Sequence, residues 1–393
     1  MTSRMIPKRT RAEIDLGAVR ANFKAVKEHI GNKRICCVVK ANAYGHGAVA
    51  LSRVYEELGA DFLAVSGIEE ALQLRRAQIR LPILILGYTA PECASILADQ
   101  NISQCVYSQE YGCALADAAA SQGVRVKIHI KIDTGMGRIG FSCRDEENAS
   151  LAHAADLCKH SALIPEGVFT HLSSASDGED GEVFTNRQLR DFEYAIAYFR
   201  AHGVSFSIRH AANSGASIDY PASYFDMVRV GILLYGYPSS DQLRRALKLT
   251  PVLQLKTTVV HIKTVRAGDT VGYSRTFTAD REMKLATIPI GYADGFWRAN
   301  AITSPTLELA GTPVPIVGGI CMDQCVLDVS ALEDVKIGDT VTVYGEKPYN
   351  SISAVTERNQ TIVYEILCSI GERVPRIYFE DGRVVEIVDN LLD

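Results

Sequence analysis

The sequence predicts an α/β protein with an N-terminal (β/α)8 TIM-like barrel and a mostly β C-terminal domain. Short apolar runs alternate with amphipathic stretches over roughly the first 240 residues, as β-then-α units do. Short alternating strands with glycine turns fill the remainder. We place the barrel at residues 12–240 and the C-terminal domain at residues 241–393, with residues 1–11 packing against the latter.

A strand and a helix are predicted ahead of the eight barrel strands. Residues 11–16 alternate in polarity, and Asp15 can cap a helix that runs from Leu16 to about His29. Most of the gaps between the later apolar runs have room for a helix, so the pattern meets the requirement for eight β-then-α units. The eight runs that we predict to be barrel strands are residues 35–39, 62–65, 83–86, 104–107, 126–131, 167–170, 207–210 and 227–230.

The C-terminal domain is predicted from short runs of alternating polarity that are separated by turns such as Ala267-Gly268-Asp269. Helices are expected at residues 352–359 and 361–370. The predicted strands are residues 253–260, 285–290, 314–317, 326–329, 340–344 and 384–388.

Composition excludes several classes of protein. The net charge is only −5 with both signs scattered, so we expect no nucleic-acid or membrane partner. No apolar run approaches the length of a membrane span, and the basic start lacks the apolar core of a signal peptide. The ten cysteines form no CxxC pair, so we expect no metal site and a reducing, cytoplasmic location, with Cys36, Cys37 and Cys321 filling the core.

Polar residues follow the predicted strands, where a barrel carries its catalytic groups. Lys40 ends the first of these runs, and a poorly solvated lysine amine is suited to Schiff-base chemistry. Ser214, Gly231 and Ile232 lie after the seventh and eighth strands, where such barrels often hold phosphate. The other strand-end residues are Lys131 and Arg138 after the fifth strand, His171 after the sixth, Asn213 after the seventh and Arg229 on the eighth.

The spacing Gly135-x-Gly137-x-x-Gly140 fits the dinucleotide-binding pattern, but we reject that interpretation. It follows the fifth strand, and no helix is predicted to begin at its third glycine.

Five segments in one consistent order resemble the alanine racemase family: residues 39–47, 136–141, 227–229, 290–295 and 321–324. The resemblance runs from about residue 11 to residue 375. It implies the cofactor pyridoxal 5'-phosphate (PLP), a barrel plus a β domain, and a homodimer with shared active sites. It also implies interconversion of L- and D-alanine, which supplies D-alanine for peptidoglycan.

The resemblance implies two catalytic residues. Lys40 holds PLP and acts as one acid/base at the substrate Cα, and Tyr273 of the partner subunit acts on the opposite face. Racemisation needs this arrangement because a proton leaves one face and returns on the other. The reference pKa of tyrosine, about 10, is too high for a resting base, and the family assists it through a chain that matches Tyr273, His171 and Arg229.

The remaining cofactor ligands are also implied by the resemblance. Arg229 faces the pyridine nitrogen, and a guanidinium keeps its proton, so the ring becomes a weaker electron sink that suits racemisation. The residues that match the phosphate ligands are Tyr44, Ser214, Gly231, Ile232 and Tyr364, with Asn213 beside them.

The substrate side of the site follows in the same way. Arg138 contacts the PLP phenolate oxygen and the substrate carboxylate. Lys131 matches a lysine that is carbamylated in some members, where the carbamate orients the residue that matches Arg138. An unmodified Lys131 beside a bound anion is the alternative. Met322 and Asp323 of the partner β domain line the carboxylate pocket, and Tyr292 narrows the access.

Two departures and three alternatives accompany the resemblance. Gly319 stands where many members have an arginine in the access corridor, and Ser176 where many have an acidic residue. An apolar pocket rejects an added hydroxyl only about a hundredfold, so a serine or dual racemase of the vancomycin-resistance type is the alternative, although Tyr364 favours alanine. PLP-bearing single barrels without turnover lack the β domain, and barrel decarboxylases pair the pyridine nitrogen with a carboxylate.

Overall fold

The computed structural model describes residues 9–303 and 306–392, which form two compact units. The barrel unit comprises Val19–Ala43 and Ala48–Thr250. The sheet unit comprises the described residues up to 18, Tyr44–Gly47, and those from 251 onwards. Strand β1, Arg11–Asp15, belongs to the sheet unit although it precedes the barrel in the chain.

Residues 19–250 form a barrel of eight parallel strands, with the short strand β7, Phe141–Ser142, beside β6. Neighbours pair in the order β10-β2-β3-β4-β5-β6-β8-β9. Between β9 and β10 the ring closes through single backbone bonds, such as Asp226 N–H to the Arg209 carbonyl at 3.0 Å. The barrel strands are β2 Arg34–Val38, β3 Phe62–Val65, β4 Ile83–Ile85, β5 Ile102–Val106, β6 Val126–Asp133, β8 Leu163–Phe169, β9 Ile208–His210 and β10 Met227–Val230.

Helices connect these strands, and the longer ones bury one face. In the helix Gln109–Ser121, Tyr111, Leu115 and Ala119 recur every four residues and are all buried, as an amphipathic helix requires. Ser108 caps its first turn by accepting the Tyr111 N–H at 3.2 Å. The other helices are Leu16–Ile30, Ala48–Glu57, Ile68–Arg76, Ala94–Asp99, Ala149–Leu157, Glu182–Ala201 and Ser214–Asp219.

The described residues of the sheet unit form a ten-stranded sheet in the order β12-β15-β18-β17-β16-β19-β11-β1-β20-β21. Strand β1 lies inside it, antiparallel to β11 and parallel to β20. The helices of this unit are Ala299–Ile302, Ile352–Asn359 and Val363–Cys368. The strands are β11 Leu253–Thr258, β12 His261–Val265, β13 Thr270–Val271, β14 Phe277–Thr278, β15 Met283–Ile288, β16 Thr306–Leu309, β17 Thr312–Val317, β18 Cys325–Asp328, β19 Thr340–Tyr344, β20 Arg376–Glu380 and β21 Arg383–Val388.

The predicted fold class is confirmed, and each of the eight predicted runs overlaps one barrel strand. The chain passes from the barrel unit to the sheet unit at Thr250 and Pro251. Asn22 holds the preceding segment on the barrel unit, because its side chain exchanges two hydrogen bonds of 2.8 Å with the Thr250 backbone. Within the described residues, no helix is both long and apolar enough to cross a bilayer.

Candidate active site

Lys40 begins a left-handed turn directly after β2 and Val39. The four residues that follow it, Ala41 to Tyr44, all have φ near +52°, which costs non-glycine residues about 1–3 kcal/mol each. Polar contacts fix this turn: Glu70 accepts the Ala41 N–H at 2.6 Å, and the Asn42 side chain accepts the Ala48 N–H at 2.8 Å. The half-buried Lys40 therefore stands at the carboxyl end of a barrel strand on a strained, pinned backbone.

Arg229 lies buried at the carboxyl end of β10. Its guanidinium donates to His210 Nδ1 and the Thr170 carbonyl, both at 2.9 Å, and reaches His171 Nδ1 at 3.5 Å. Burial lowers the pKa of Arg229 to about 10. Within the described residues no carboxylate pairs with it, so the guanidinium is fixed entirely by neutral acceptors.

A buried chain of polar side chains continues from Arg229 through the barrel. His210 Nε2 lies 2.8 Å from His129 Nδ1, and His129 Nε2 lies 3.1 Å from Glu166 Oε2. Arg229 can only donate, so His210 accepts at Nδ1 and donates at Nε2, and His129 in turn donates to Glu166. Burial lowers the pKa of both histidines, which matches this neutral arrangement.

Glu166 ends this chain as a carboxylate. Burial acts to raise its pKa, but the hydrogen bonds from His129 and Ser103 outweigh burial and lower the pKa to about 2. The sequence analysis missed this network, hereafter the Arg229–Glu166 relay. Its only signal was the presence of two histidines and a glutamate inside otherwise apolar strands.

His171 and Lys131 are both kept from protonating easily. Burial, followed by the charge of Arg229, lowers the pKa of His171 well below its usual value. Burial also lowers the pKa of Lys131 to about 8, with the Arg138 and Arg229 charges acting in the same direction. Lys131 Nζ lies 5.4 Å from the centre of the Phe169 ring. Because its pKa is only about 8, a minor fraction of the amine, about one tenth, is neutral at pH 7.

Arg138 lies in an exposed loop between β6 and β7. The Asp133 carboxylate organises the loop by accepting the Gly135 N–H at 2.9 Å and the Gly137 N–H at 3.0 Å. Gly140 has φ +136° and passes so close to Asp133 that a Cβ would lie 2.6 Å from its backbone nitrogen. The glycines therefore shape a turn, and no helix begins at Gly140, which agrees with the rejection of a dinucleotide fingerprint.

The loops after the seventh and eighth strands are joined by hydrogen bonds. Asn213 caps the helix Ser214–Asp219 by accepting the Ala216 N–H at 3.0 Å, and its Nδ2 donates to the Leu172 carbonyl at 2.8 Å. Ser214 Oγ accepts the Gly231 N–H at 3.0 Å, which leaves its hydroxyl proton to donate elsewhere. Ile232 is fully buried beside them. Asn213, Ser214 and Gly231 thus form one connected group within the barrel unit.

The sheet unit brings together the two tyrosines predicted to bind phosphate. The ring centres of Tyr44 and Tyr364 lie 5.7 Å apart. Burial raises the pKa of both phenols, that of Tyr364 to about 12. Both hydroxyls therefore stay protonated and can act as hydrogen-bond donors to an anion.

The residues predicted to act across a subunit boundary lie on the surface of the sheet unit. The side chain of Tyr273 is 75% exposed, that of Met322 52% and that of Tyr292 43%. Asp323 is held by Arg373, whose Nη2 donates to its carboxylate at 2.6 Å. Large exposed apolar side chains of this kind are common at protein interfaces.

The two departures from the family pattern have different surroundings. A Cβ added at Gly319 meets no described atom within 4 Å, so the chain has local room there for a larger side chain. Ser176 shares a hydrogen bond of 2.8 Å with the Ser239 hydroxyl, so it ties two loops of the barrel unit together.

Comparison with known proteins identifies the family of the chain. The family model described as alanine racemase, N-terminal domain, matches residues 14–239, and the alanine racemase C-terminal domain matches residues 252–378. The chain belongs to the alanine racemase family. Alanine racemase 1 of Clostridium acetobutylicum is 40% identical over 379 residues, covering 96% of this chain and 97% of that relative. An alanine racemase of Clostridium perfringens is 42% identical over 381 residues, with 96% and 97% covered.

Solved structures of alanine racemases have the same fold as this chain. Alanine racemase from Clostridium difficile 630 superposes with a TM-score of 0.93 at 37% identity, covering 98% of this chain and 100% of that one. The enzyme from Bacillus anthracis with bound L-Ala-P gives a TM-score of 0.92 at 36% identity, with 99% and 100% covered. Family membership and fold are therefore shown over nearly the whole chain.

Proposed function

We propose that this chain is a PLP-dependent enzyme that interconverts L- and D-alanine, works in the cytoplasm as a homodimer and supplies D-alanine for peptidoglycan. The observation that supports it most directly is Arg229, a buried guanidinium fixed by neutral acceptors only. Its partner in the site must accept a hydrogen bond without delivering a proton, which describes an unprotonated pyridine nitrogen.

The donor set fits PLP. Lys40 would bind the cofactor, Arg229 would face its ring nitrogen, and hydroxyl groups would face its phosphate. PLP, when bound, withdraws electrons from the Cα of an attached amino acid. The protonated phenols of Tyr44 and Tyr364 and the free hydroxyl proton of Ser214 suit a phosphate dianion, because each contributes a donor. Asn213, Gly231 and Ile232 complete this proposed phosphate site.

Two bases then act on the Cα proton. We assign Lys40 to one face and Tyr273 of the partner subunit to the other, so that one takes the proton and the other returns one. Arg138, with Met322 and Asp323 of the partner subunit, would orient the substrate carboxylate, and Tyr292 would narrow the access. Arg373 donates to Asp323 at 2.6 Å and to Asp294 at 2.8 Å, so its charge offsets part of the repulsion between the Asp323 carboxylate and the substrate.

His171 would connect Tyr273 to Arg229. Its low pKa keeps the imidazole neutral, and because Nδ1 faces the Arg229 donor, Nε2 carries the hydrogen and can donate a hydrogen bond to the Tyr273 oxygen, which stabilises the phenolate form.

Lys131 is proposed to carry a carbamate that orients Arg138. The neutral amine attacks CO2, a C–N bond forms, one C=O π bond becomes the carboxylate, and the amine releases one proton. Burial, which lowers the pKa of Lys131 to about 8, supports this step because only the neutral amine reacts. Carbon-13 NMR of the protein in labelled hydrogencarbonate would show a carbamate signal, and that signal should vanish in Lys131→Met. A spectrum without it assigns an unmodified lysine.

The proposed function is tested by exchange of the Cα hydrogen in D2O, followed by proton NMR. Lys40→Ala should lose the yellow colour of bound PLP and exchange neither enantiomer. Tyr273→Phe should keep the colour, continue to exchange D-alanine through Lys40 and lose exchange of L-alanine. Equal loss for both enantiomers would contradict the assigned faces, and faster turnover of serine than alanine would contradict the substrate.

The shared site is tested by mixing the two inactive variants. A hybrid dimer of Lys40→Ala and Tyr273→Phe chains contains one intact pair of bases, so statistical exchange should restore about one quarter of wild-type activity. The exposed Tyr273, Met322 and Tyr292 support this arrangement, since they need a covering partner. A mixture that stays inactive although subunits exchange would argue for sites within single chains.

A further inference from the structure

A cluster of buried polar atoms in the sheet unit has no hydrogen-bond partner among the described residues. It comprises five atoms: Asn300 Nδ2, Tyr344 Oη, Arg358 Nε and Nη2, and Asn359 Oδ1. Asn300 and Tyr344 are fully buried. Native proteins satisfy nearly all buried polar groups, so five unsatisfied atoms in one cluster require an explanation.

Direct contacts show that these residues are neighbours. Asn359 Nδ2 donates to Asn300 Oδ1 and to the Val355 carbonyl, both at 2.9 Å. Those bonds fix both amides, so Asn300 presents its NH2 group and Asn359 presents its carbonyl oxygen. The Asn300 side chain and the Arg358 charge both act on the Tyr344 hydroxyl and lower its pKa, although burial dominates and raises it.

The cluster is rich in donors and carries a positive charge. The inward edge of Arg358, Nε and Nη2, is the edge that binds a carboxylate through two parallel hydrogen bonds. Burial lowers the pKa of Arg358, and the exposed Glu357 beside it in sequence forms no ion pair with it within the described residues. Asn300 and Tyr344 add two neutral donors.

We propose that this cluster binds a small monovalent oxyanion with the shape of a carboxylate, formate or hydrogencarbonate in type. Its two oxygens accept from the Arg358 edge, and the Asn300 amide and the Tyr344 hydroxyl donate to the same oxygens. A single water has too few lone pairs for four donor atoms and supplies no negative charge. A ligand that also carries an O–H group, as hydrogencarbonate does, can donate to Asn359 Oδ1.

Such an anion would crosslink three elements of the sheet unit. Asn300 lies on the helix Ala299–Ile302, Tyr344 ends β19, and Arg358 and Asn359 end the helix Ile352–Asn359. That last helix leads within a few residues into the helix Val363–Cys368, which carries Tyr364. The bound ion would therefore stabilise the unit without belonging to the proposed catalytic groups.

The probe is formate, because it cannot carbamylate Lys131. Thermal unfolding of the holoenzyme is followed in a formate series at fixed protein and PLP concentration. Wild type should show a saturable rise in Tm. At a formate concentration of ten times Kd, the ratio of folded to unfolded protein should rise about elevenfold. Arg358→Met should lose this response, while Arg383→Met, which removes an exposed charge on β21, should keep it.

Two further variants keep the test decisive if Arg358→Met fails to fold. Without formate, Tyr344→Phe should be as stable as wild type or more so, because it deletes a hydroxyl that lacks a partner. In formate it should gain less than wild type. Arg358→Lys keeps the charge but loses the two-pronged edge, so its formate response should weaken.

Equal formate responses of wild type, Arg358→Met and Tyr344→Phe would overturn the proposal. A crystal structure of the holoenzyme grown in formate should show a planar anion against Arg358 and Asn300. Water molecules alone at that position would overturn the proposal. Binding of bromide at that position, in a protein that does not bind formate, would also overturn it, because the cluster would then be a halide site.

Discussion

Replacing Gly167 with alanine would break the Arg229–Glu166 relay without touching any residue proposed to bind cofactor or substrate. Gly167 lies in β8, and a Cβ there would sit 2.4 Å from His129 Nδ1 and 2.5 Å from His129 Cε1. His129 Nδ1 is the atom that accepts from His210. Because the His129 ring is fully buried between His210 and Glu166, it cannot move aside without breaking both hydrogen bonds.

The size of the effect follows from these contacts. Overpacking costs about 1–3 kcal/mol. The neutral bond to His210 contributes about 1 kcal/mol and the charged bond to Glu166 about 2 kcal/mol. We expect Gly167→Ala to lower the free energy of unfolding by about 4–6 kcal/mol. Racemase turnover should fall because Arg229 loses an oriented acceptor.

The assay is a double-mutant cycle on holoenzyme at fixed protein and PLP concentration. His129→Ala removes the ring that the new methyl group meets, so the double variant loses the relay only once and has no overpacking. Its destabilisation should be at least about 2 kcal/mol smaller than the sum of the single effects. Destabilisations that add within about 0.5 kcal/mol would show that Gly167 and His129 act independently and would refute the reasoning.

Three further predictions concern buried groups. In protein kept free of CO2 and of cofactor, Lys131 is an amine with a pKa of about 8 when folded against 10.5 when unfolded. The unfolded chain therefore binds more protons between these pH values, and stability rises with pH there. Lys131→Met should remove about 3 kcal/mol of that rise, measured by urea unfolding at pH 8 and pH 10.5. Gln188→Met should cost about 2–4 kcal/mol, because Gln188 bonds to Thr134, the His171 carbonyl and Ser173, and an unchanged urea midpoint would contradict this. His171 should add no titration near pH 6.5 to the kcat profile, and a step there that disappears in His171→Leu would show that it does titrate.

The barrel was predictable because its strands are short apolar runs separated by amphipathic helices. The run 35–39 illustrates this. All five of its residues are buried in the structure, and all five are apolar, as expected for a strand that is covered on both faces. Strand-end positions then located Lys40, His171 and Arg229, because a barrel gathers the ends of its strands on one face.

Other features depend on contacts that no local pattern encodes. Ala41-Asn42-Ala43-Tyr44 contains no glycine, and its left-handed turn depends on the distant Glu70 carboxylate. The relay joins His129, Glu166 and His210 from three strands, each of which looks like an isolated polar residue in sequence. Cys321, expected in the core, is only half-buried because it lies in the turn between β17 and β18.

The position of β1 has a consequence for how the chain can be synthesised and divided. The strand made first lies between β11 and β20, and β20 is among the last strands to leave the ribosome, so the sheet around β1 cannot be completed until nearly the full chain is made. A fragment that begins at Pro251 would keep two unpaired strand edges in the middle of its sheet, where a second molecule can pair. A synthetic peptide of residues 9–18 contains β1 and could pair with both of these free edges in such a fragment.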